Sequence, residues 1–214
     1  MNETTLFYLS DLFGVAVFAI TGALMAGRKS MDIFGVLVVA FVTALGGGTL
    51  RDVILGRHPV SWIGDETYLT VVTLAALGTV LWVKMTRPIH ELGLQVADAF
   101  GLAVFTVIGT QVALAHEVPT SAAVIFGVMT GVAGGVIRDM ICNDIPLIFH
   151  KELYATPCIL GSLTYIGLQP LALASYIEVL GAMAVVLAVR LGAIFFHWQL
   201  PRFHLLDRDE QQDL

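Results

Sequence analysis

Charge is what this chain has least of. Only 13% of its 214 residues are Asp, Glu, Lys or Arg, while 57% are hydrophobic and the mean hydropathy is +0.84. A typical soluble domain carries about 25% charged residues. The balance excludes a water-soluble globule and points to a polytopic, all-α membrane protein. The 11 basic residues form no run or stacking platform for nucleic acid, so no nucleic-acid partner is expected. The formal charge of −6 owes much to the tail from Asp207 to Asp213 and to Asp65-Glu66. It says little about partners. There are two cysteines, Cys142 and Cys158, with no CxxC pattern. They read as buried thiols used as small hydrophobes. The six histidines are scattered at helix ends without HExxH or ligand spacing, so no resident metal is expected. Gly-x-Ser-x-Gly is also missing, which removes support for an intramembrane serine hydrolase. The reading is therefore a non-enzyme without a cofactor. The N-terminus, Met1-Asn2-Glu3-Thr4, lacks the positive region of a secretory signal, so the first apolar stretch is expected to stay as a helix.

What is present is length of apolar sequence. A helix needs about 20 mostly apolar residues to cross the hydrocarbon. Seven such spans are expected, at about 5–26, 32–55, 67–85, 93–115, 120–142, 153–168 and 171–197, the sixth being short. Breaks fall at Gly27-Arg28-Lys29-Ser30, between His58-Pro59 and Asp65-Glu66, at Arg87-Pro88, from His116 to Pro119, from Asn143 to Glu152, and at Gln169-Pro170. Lysine and arginine asymmetry sets the orientation. With the N-terminus outside, Arg28, Lys29, Lys84, Arg87, Lys151, Arg202 and Arg208 are cytoplasmic, and only Arg51 and Arg57 fall towards the outside. This predicts a multi-pass protein of the cell inner membrane with a cytoplasmic C-terminus. Trp62 then marks the outer interface, and Trp82 and Trp198 the inner one.

The chain also matches itself at an offset of 87 residues. Asp11, Phe13, Gly14, Phe18 and Gly22 meet Asp98, Phe100, Gly101, Phe105 and Gly109. Thr43, Gly47, Gly48, Arg51, Asp52 and Pro59 meet Thr130, Gly134, Gly135, Arg138, Asp139 and Pro146. Generic apolar similarity aligns Leu, Val and Ala; it does not readily align Asp, Gly-Gly, Arg-Asp and Pro together. The reading is a duplication within a single transmembrane domain, 1–214. Residues 5–86 form a first three-helix repeat and 92–168 a second. Three spans is an odd number, so the second repeat is inverted, as in many transport proteins. The helix at 171–197 is unpaired, and 201–214 is a flexible cytoplasmic tail.

Ionisable residues inside a membrane segment are expensive and usually mark a pathway. Here Gly46-Gly47-Gly48-Thr49-Leu50-Arg51-Asp52 and Gly134-Gly135-Val136-Ile137-Arg138-Asp139 each place an Arg-Asp pair after a glycine cluster. Gly46 to Thr49 fits neither the GxGxxG nor the P-loop pattern. The glycines suggest helices that break or pack closely, and free carbonyls at a break can coordinate a cation or hold an arginine. Inversion brings Asp11 to the depth of Arg51 and Asp98 to the depth of Arg138, which predicts a charge cluster at each end of one central passage. Adjacent helical residues point about 100° apart, so Arg51 and Asp52 are expected to face different partners. Thr43, Thr49 and Thr130 supply hydroxyls beside the breaks. The candidate pathway is thus Thr43, Gly46, Gly47, Gly48, Thr49, Arg51, Asp52, Thr130, Gly134, Gly135, Arg138 and Asp139, with Asp11 and Asp98 as charge partners. An alternative is that the glycines only permit close packing and the charges are structural glue.

The doubled glycine and Arg-Asp motif, the seven spans and the inverted triplets resemble a prokaryotic member of the trimeric intracellular cation (TRIC) channel family. They also resemble the related bacterial glycine transporter (UPF0126) domain family, through Gly22-Ala23, Arg28-Lys29, Asp32, Phe34-Gly35 and Thr43 to Asp52. The likeness covers about residues 8–195. It implies a homotrimer in membrane lipid with a pore in each protomer. The pore would be formed by glycine-kinked spans two and five together with spans one and four, and would pass monovalent cations, chiefly K⁺, only transiently bound. A carrier of glycine or a similar small amino acid is the competing expectation, since Arg and Asp suit a carboxylate and an ammonium.

Overall fold

The computed structural model describes residues 3–85 and 91–199. The break at Arg87-Pro88, His90, and the tail at 201–214 with Arg202, His204 and Arg208 lie outside the described residues. The described chain is all helical apart from one isolated bridge, Glu152 with Gln199. In order come α1 (Glu3–Arg28), α2 (Ile33–Ile54), the single turn α3 (Ser61–Gly64), α4 (Thr67–Met85), α5 (Glu91–Ala115), α6 (Thr120–Ile141), α7 (Ala155–Leu168) and α8 (Ser175–Phe196). Short 3-10 turns lie at Leu147–Phe149 and Gln169–Leu171.

Six of these helices, α1, α2, α4, α5, α6 and α8, are long and apolar enough to cross a membrane. The expected span at 153–168 is realised as α7, only 14 residues. At about 1.5 Å per residue that is about 21 Å, short of a hydrocarbon core of about 30 Å.

Local chemistry explains the helix ends. Asp32 caps α2, its carboxylate accepting the Gly35 N–H at 2.7 Å. Pro119 opens α6, where a missing N–H costs nothing. The chain leaves α1 and α2 through left-handed residues, Ser30 at φ 56° and Gly56 at φ 69°. It leaves α5 and α6 through Glu117 at φ 57° and Asn143 at φ 54°. Left-handed residues of this kind commonly end helices. Each of these positions lies 87 residues from its counterpart, as do both ends of α2 and α6.

Packing follows the same pairing. α1 lies against α2 and α4, α5 against α6 and α7, and the two groups meet where α2 crosses α6 and α1 crosses α5. α8 packs on α5 and α7. At the α2–α6 crossing, a Cβ on Gly47 would collide with the carbonyl of Thr130, and one on Gly134 with the carbonyl of Thr43. Only glycine permits this approach. Of the two expectations for these glycines, a break or close packing, the structure shows close packing: α2 and α6 run as continuous helices through them. Both cysteines are buried and unbridged.

Candidate functional site

Two clusters of buried charge flank the α2–α6 crossing. Near the end of α6, Arg138 is fully buried and its Nε donates to Asp139 Oδ1 at 2.8 Å. Its Nη1 donates to Asp98 Oδ1 on α5 at 2.8 Å and to Thr21 Oγ1 on α1 at 3.2 Å. The second oxygen of Asp98 accepts the Tyr154 hydroxyl at 2.7 Å, and that of Asp139 accepts the Leu147 N–H at 3.2 Å. One guanidinium thus bridges two carboxylates, and each carboxylate is completed by a second donor. A buried ion pair is tolerable only with such completion. Arg138 Nη2 has no hydrogen-bond partner among the described residues and lies beside Gly135.

Near the end of α2 the parts recur with different bonds. Arg51 Nε donates to Asp52 Oδ1 at 2.9 Å, and Asp52 Oδ2 accepts the Ser61 N–H at 3.0 Å and hydroxyl at 2.7 Å. Arg57 approaches Asp52 at 3.6 Å from the surface. On α1, Asp11 accepts the Tyr68 hydroxyl. Among the described residues, no ion pair joins Arg51 to Asp11. A cavity of about 20 Å³ lies between them, lined also by Gly48, Trp62 and Phe105. That is room for about one water molecule.

The remaining expected residues lie along the crossing. Thr43 and Thr130 are buried, but their hydroxyls donate back into their own helices, to Val39 and Phe126 carbonyls at 2.6 Å. Thr49 donates to the Leu45 carbonyl at 2.7 Å and accepts Trp62 Nε1 at 3.0 Å. Trp62 is therefore tied into the protein, and its ring meets Phe41 edge-on at 5.2 Å. Gly46 faces Ile137. The expectation that Arg51 and Asp52 face different partners is corrected: each arginine bends back to bond the aspartate that follows it. A long side chain covers the angular step that Cβ directions alone suggest it cannot.

Sequence reasoning missed Tyr68, Tyr154, Ser61 and Arg190. The two tyrosines sit 57 and 56 residues after the aspartates they bond, Asp11 and Asp98, a one-residue slip that hides them from an ungapped self-comparison. Arg190, on α8, is buried. It donates to the Leu153 carbonyl at 2.9 Å and Glu152 at 3.2 Å, and stands over the Tyr154 ring at 4.9 Å. It braces the tyrosine that completes Asp98.

A sequence profile for the family described as "Glycine transporter" matches twice, over residues 8–84 and 95–170. The UPF0126 inner membrane protein YadS of Escherichia coli K12 is 45% identical over 205 residues, covering 94% of this chain and 97% of that one. Among solved structures, the TRIC trimeric intracellular cation channel orthologue from Rhodobacter sphaeroides superposes with a TM-score of 0.86 at 32% identity, covering 91% of this chain and all of the other. A second structure, described in terms of conductance through TRIC cation channels, gives 0.83 at 34% identity over 94% of this chain and 98% of its own.

Proposed function

Since the chain belongs to the glycine transporter (UPF0126) membrane-protein family, we propose that it is a monovalent cation channel, permeable to K⁺, with one pore within each protomer of a homotrimer. The observation that carries the reading is the whole-chain likeness to TRIC cation channels at 32% and 34% identity. These neighbours are channels and not enzymes.

Physical support comes from the doubled cluster. The Arg138 end presents two carboxylates, Asp98 and Asp139, to one guanidinium, and two acids to one base favour a cation over an anion there. At the Arg51 end Asp11 and Asp52 stand with Arg51 and, from the surface, Arg57. Each of Arg51 and Arg138, tied to the aspartate that follows it, serves as a neutralised latch. The pathway runs past Thr43, Gly46 to Thr49, Thr130 and Gly134-Gly135, enclosed by α1, α2, α5 and α6. The paired profile matches, the 87-residue offset of the helix ends and the mirrored glycine contacts support two inverted repeats, 5–86 and 92–168, followed by the helix at 171–197. In this scheme α7 with the turn after it makes the sixth crossing and α8 the seventh, and the basic loops lie on the cytoplasmic side.

Purified protein in a planar bilayer with K⁺ on both sides is expected to show unitary currents. Arg51→Ala and Arg138→Ala are expected to change open probability or selectivity. Silent bilayers together with saturable glycine uptake into liposomes would overturn the channel. That outcome would establish the second reading, a small amino-acid carrier, which the family's description favours. Unaltered currents in both arginine variants would remove the two clusters from the pathway.

A further inference from the structure

Besides Arg51 and Arg138 a further arginine is buried, Arg190, and the proposed pathway does not use it. It stands on α8, which lies beyond both stretches that match the family profile, 8–84 and 95–170. Its Nη1 donates to the Leu153 carbonyl at 2.9 Å and to Glu152 Oε2 at 3.2 Å, and its guanidinium lies over the Tyr154 ring at 4.9 Å. Its Nε has no hydrogen-bond partner among the described residues. A buried ion pair can often be replaced by apolar side chains without loss of stability, so packing alone does not call for an arginine here. What the arginine supplies is direction. Bonds to the chain just before α7, and a cation over the ring face, hold Tyr154 from two sides. The Tyr154 hydroxyl is thereby aimed at Asp98, which it meets at 2.7 Å, and Asp98 meets Arg138 at 2.8 Å. The same stretch is tied once more to the end of α8, where the Leu153 N–H donates to the Trp198 carbonyl at 3.3 Å. At the Arg51 end, Tyr68 makes the corresponding bond to Asp11, but its ring meets Tyr8 edge-on at 6.3 Å, a contact that brings no charge to the ring.

We propose that Arg190 is a positioning residue for the Arg138 end. It fixes Tyr154 so that the Tyr154 hydroxyl holds Asp98 against Arg138, and α8 thereby sets how readily α1, α5 and α6 part there. The brace is independent of what passes through the protein; its effect on current rests on the channel reading.

The native Cys142 reports on that end. It follows Arg138 by one turn, its N–H donating to the Arg138 carbonyl at 3.0 Å, and is buried in the same apolar cluster as Met25 of α1 and Leu94 of α5. Full-length protein in nanodiscs is treated with N-ethylmaleimide, and labelling of Cys142 is followed apart from Cys158 by peptide mass spectrometry, with helicity as the check on folding. Arg190→Met and Tyr154→Phe should each speed Cys142 labelling about tenfold, the effect on a local opening of losing one hydrogen bond to a charged group. Arg190→Lys, which keeps a cation and a donor, should stay close to wild type. The double variant, Arg190→Met with Tyr154→Phe, should label no faster than either single one, since both act through one bond. Unchanged labelling in Arg190→Met overturns the proposal. So do effects that multiply in the double variant, or equal acceleration by Lys and Met, which would reduce Arg190 to a packing contact. In planar bilayers Arg190→Met should raise open probability and leave the unitary K⁺ current as it is; a changed unitary current would put Arg190 in the pathway itself and overturn its positioning role. Bilayers silent with wild type would defeat the channel, and the labelling would still decide the brace.

Discussion

Arg51 and Arg138 occupy equivalent places in their helices yet hold their surroundings differently. Arg138 clamps Asp98 at 2.8 Å and reaches Thr21, joining α6 to α5 and α1. Arg51 bonds Asp52 and Ser61, partners within or just after its own helix, and a water-sized cavity separates it from Asp11. One cluster is a cross-brace among helices and the other a local knot with space beside it. The same motif at the two ends of the crossing thus supports braces of unequal reach, the Arg138 end being the more firmly tied.

The largest test of that contrast is removal of the carboxylates. Asp98→Ala strands a buried guanidinium and is expected to cost about 3–5 kcal/mol, read as a drop in melting temperature in detergent. Asp11→Ala loses only the Tyr68 hydrogen bond and should cost about 1–3 kcal/mol. Equal costs would show that the two ends are equally braced.

The crossing, by contrast, is symmetric, and its variants should behave alike. Gly47→Ala and Gly134→Ala each push a methyl into the opposite helix's carbonyl, at a cost of about 1–3 kcal/mol for overpacking. A harmless substitution at one and a damaging one at the other would break the equivalence of α2 and α6.

Smaller still is the link outside the Arg138 cluster. Lys29 meets Asp144 at 2.7 Å with both side chains more than a third exposed. Such pairs contribute about 0–1 kcal/mol. Lys29→Gln should therefore barely move the melting temperature, and any marked change in the currents expected of the proposed channel would make the pair part of its pathway.

The smallest effect belongs to Asp65, outside the spans on the Arg51 side. Hydrogen bonds from the Thr67 hydroxyl, the Tyr8 hydroxyl and the Thr67 N–H hold its carboxyl below the usual carboxylate range. A depressed value means that its contribution is present at neutral pH and is lost as pH falls from the ordinary carboxylate range through the folded value. Asp65→Asn should flatten that part of the acid dependence of melting, and an unchanged acid profile would remove Asp65 as its source.

Much of this was readable from residues alone where a pattern had physical necessity behind it. The ends of α2 and α6 follow from Asp32, Pro119, Gly56 and Asn143, whose backbone preferences act locally. The pairing of Arg138 with Asp98 followed from depth and inversion. The role of the glycines did not, because breaking a helix and admitting a neighbour leave the same residue in the sequence. The tyrosines escaped because partner choice across helices depends on the rotation of α4 and α7, which an apolar segment does not encode visibly.

By itself, the sequence determined that the chain lives in lipid, since so little charge leaves no other solvent, and that its two halves carry one motif, since Arg-Asp after paired glycines does not recur by composition. Only the tertiary structure decided that the two arginines differ. Whether a guanidinium reaches across to a second helix or folds back on its own depends on about an ångström of helix placement, and that is set by the packing of the whole bundle around Gly47 and Gly134.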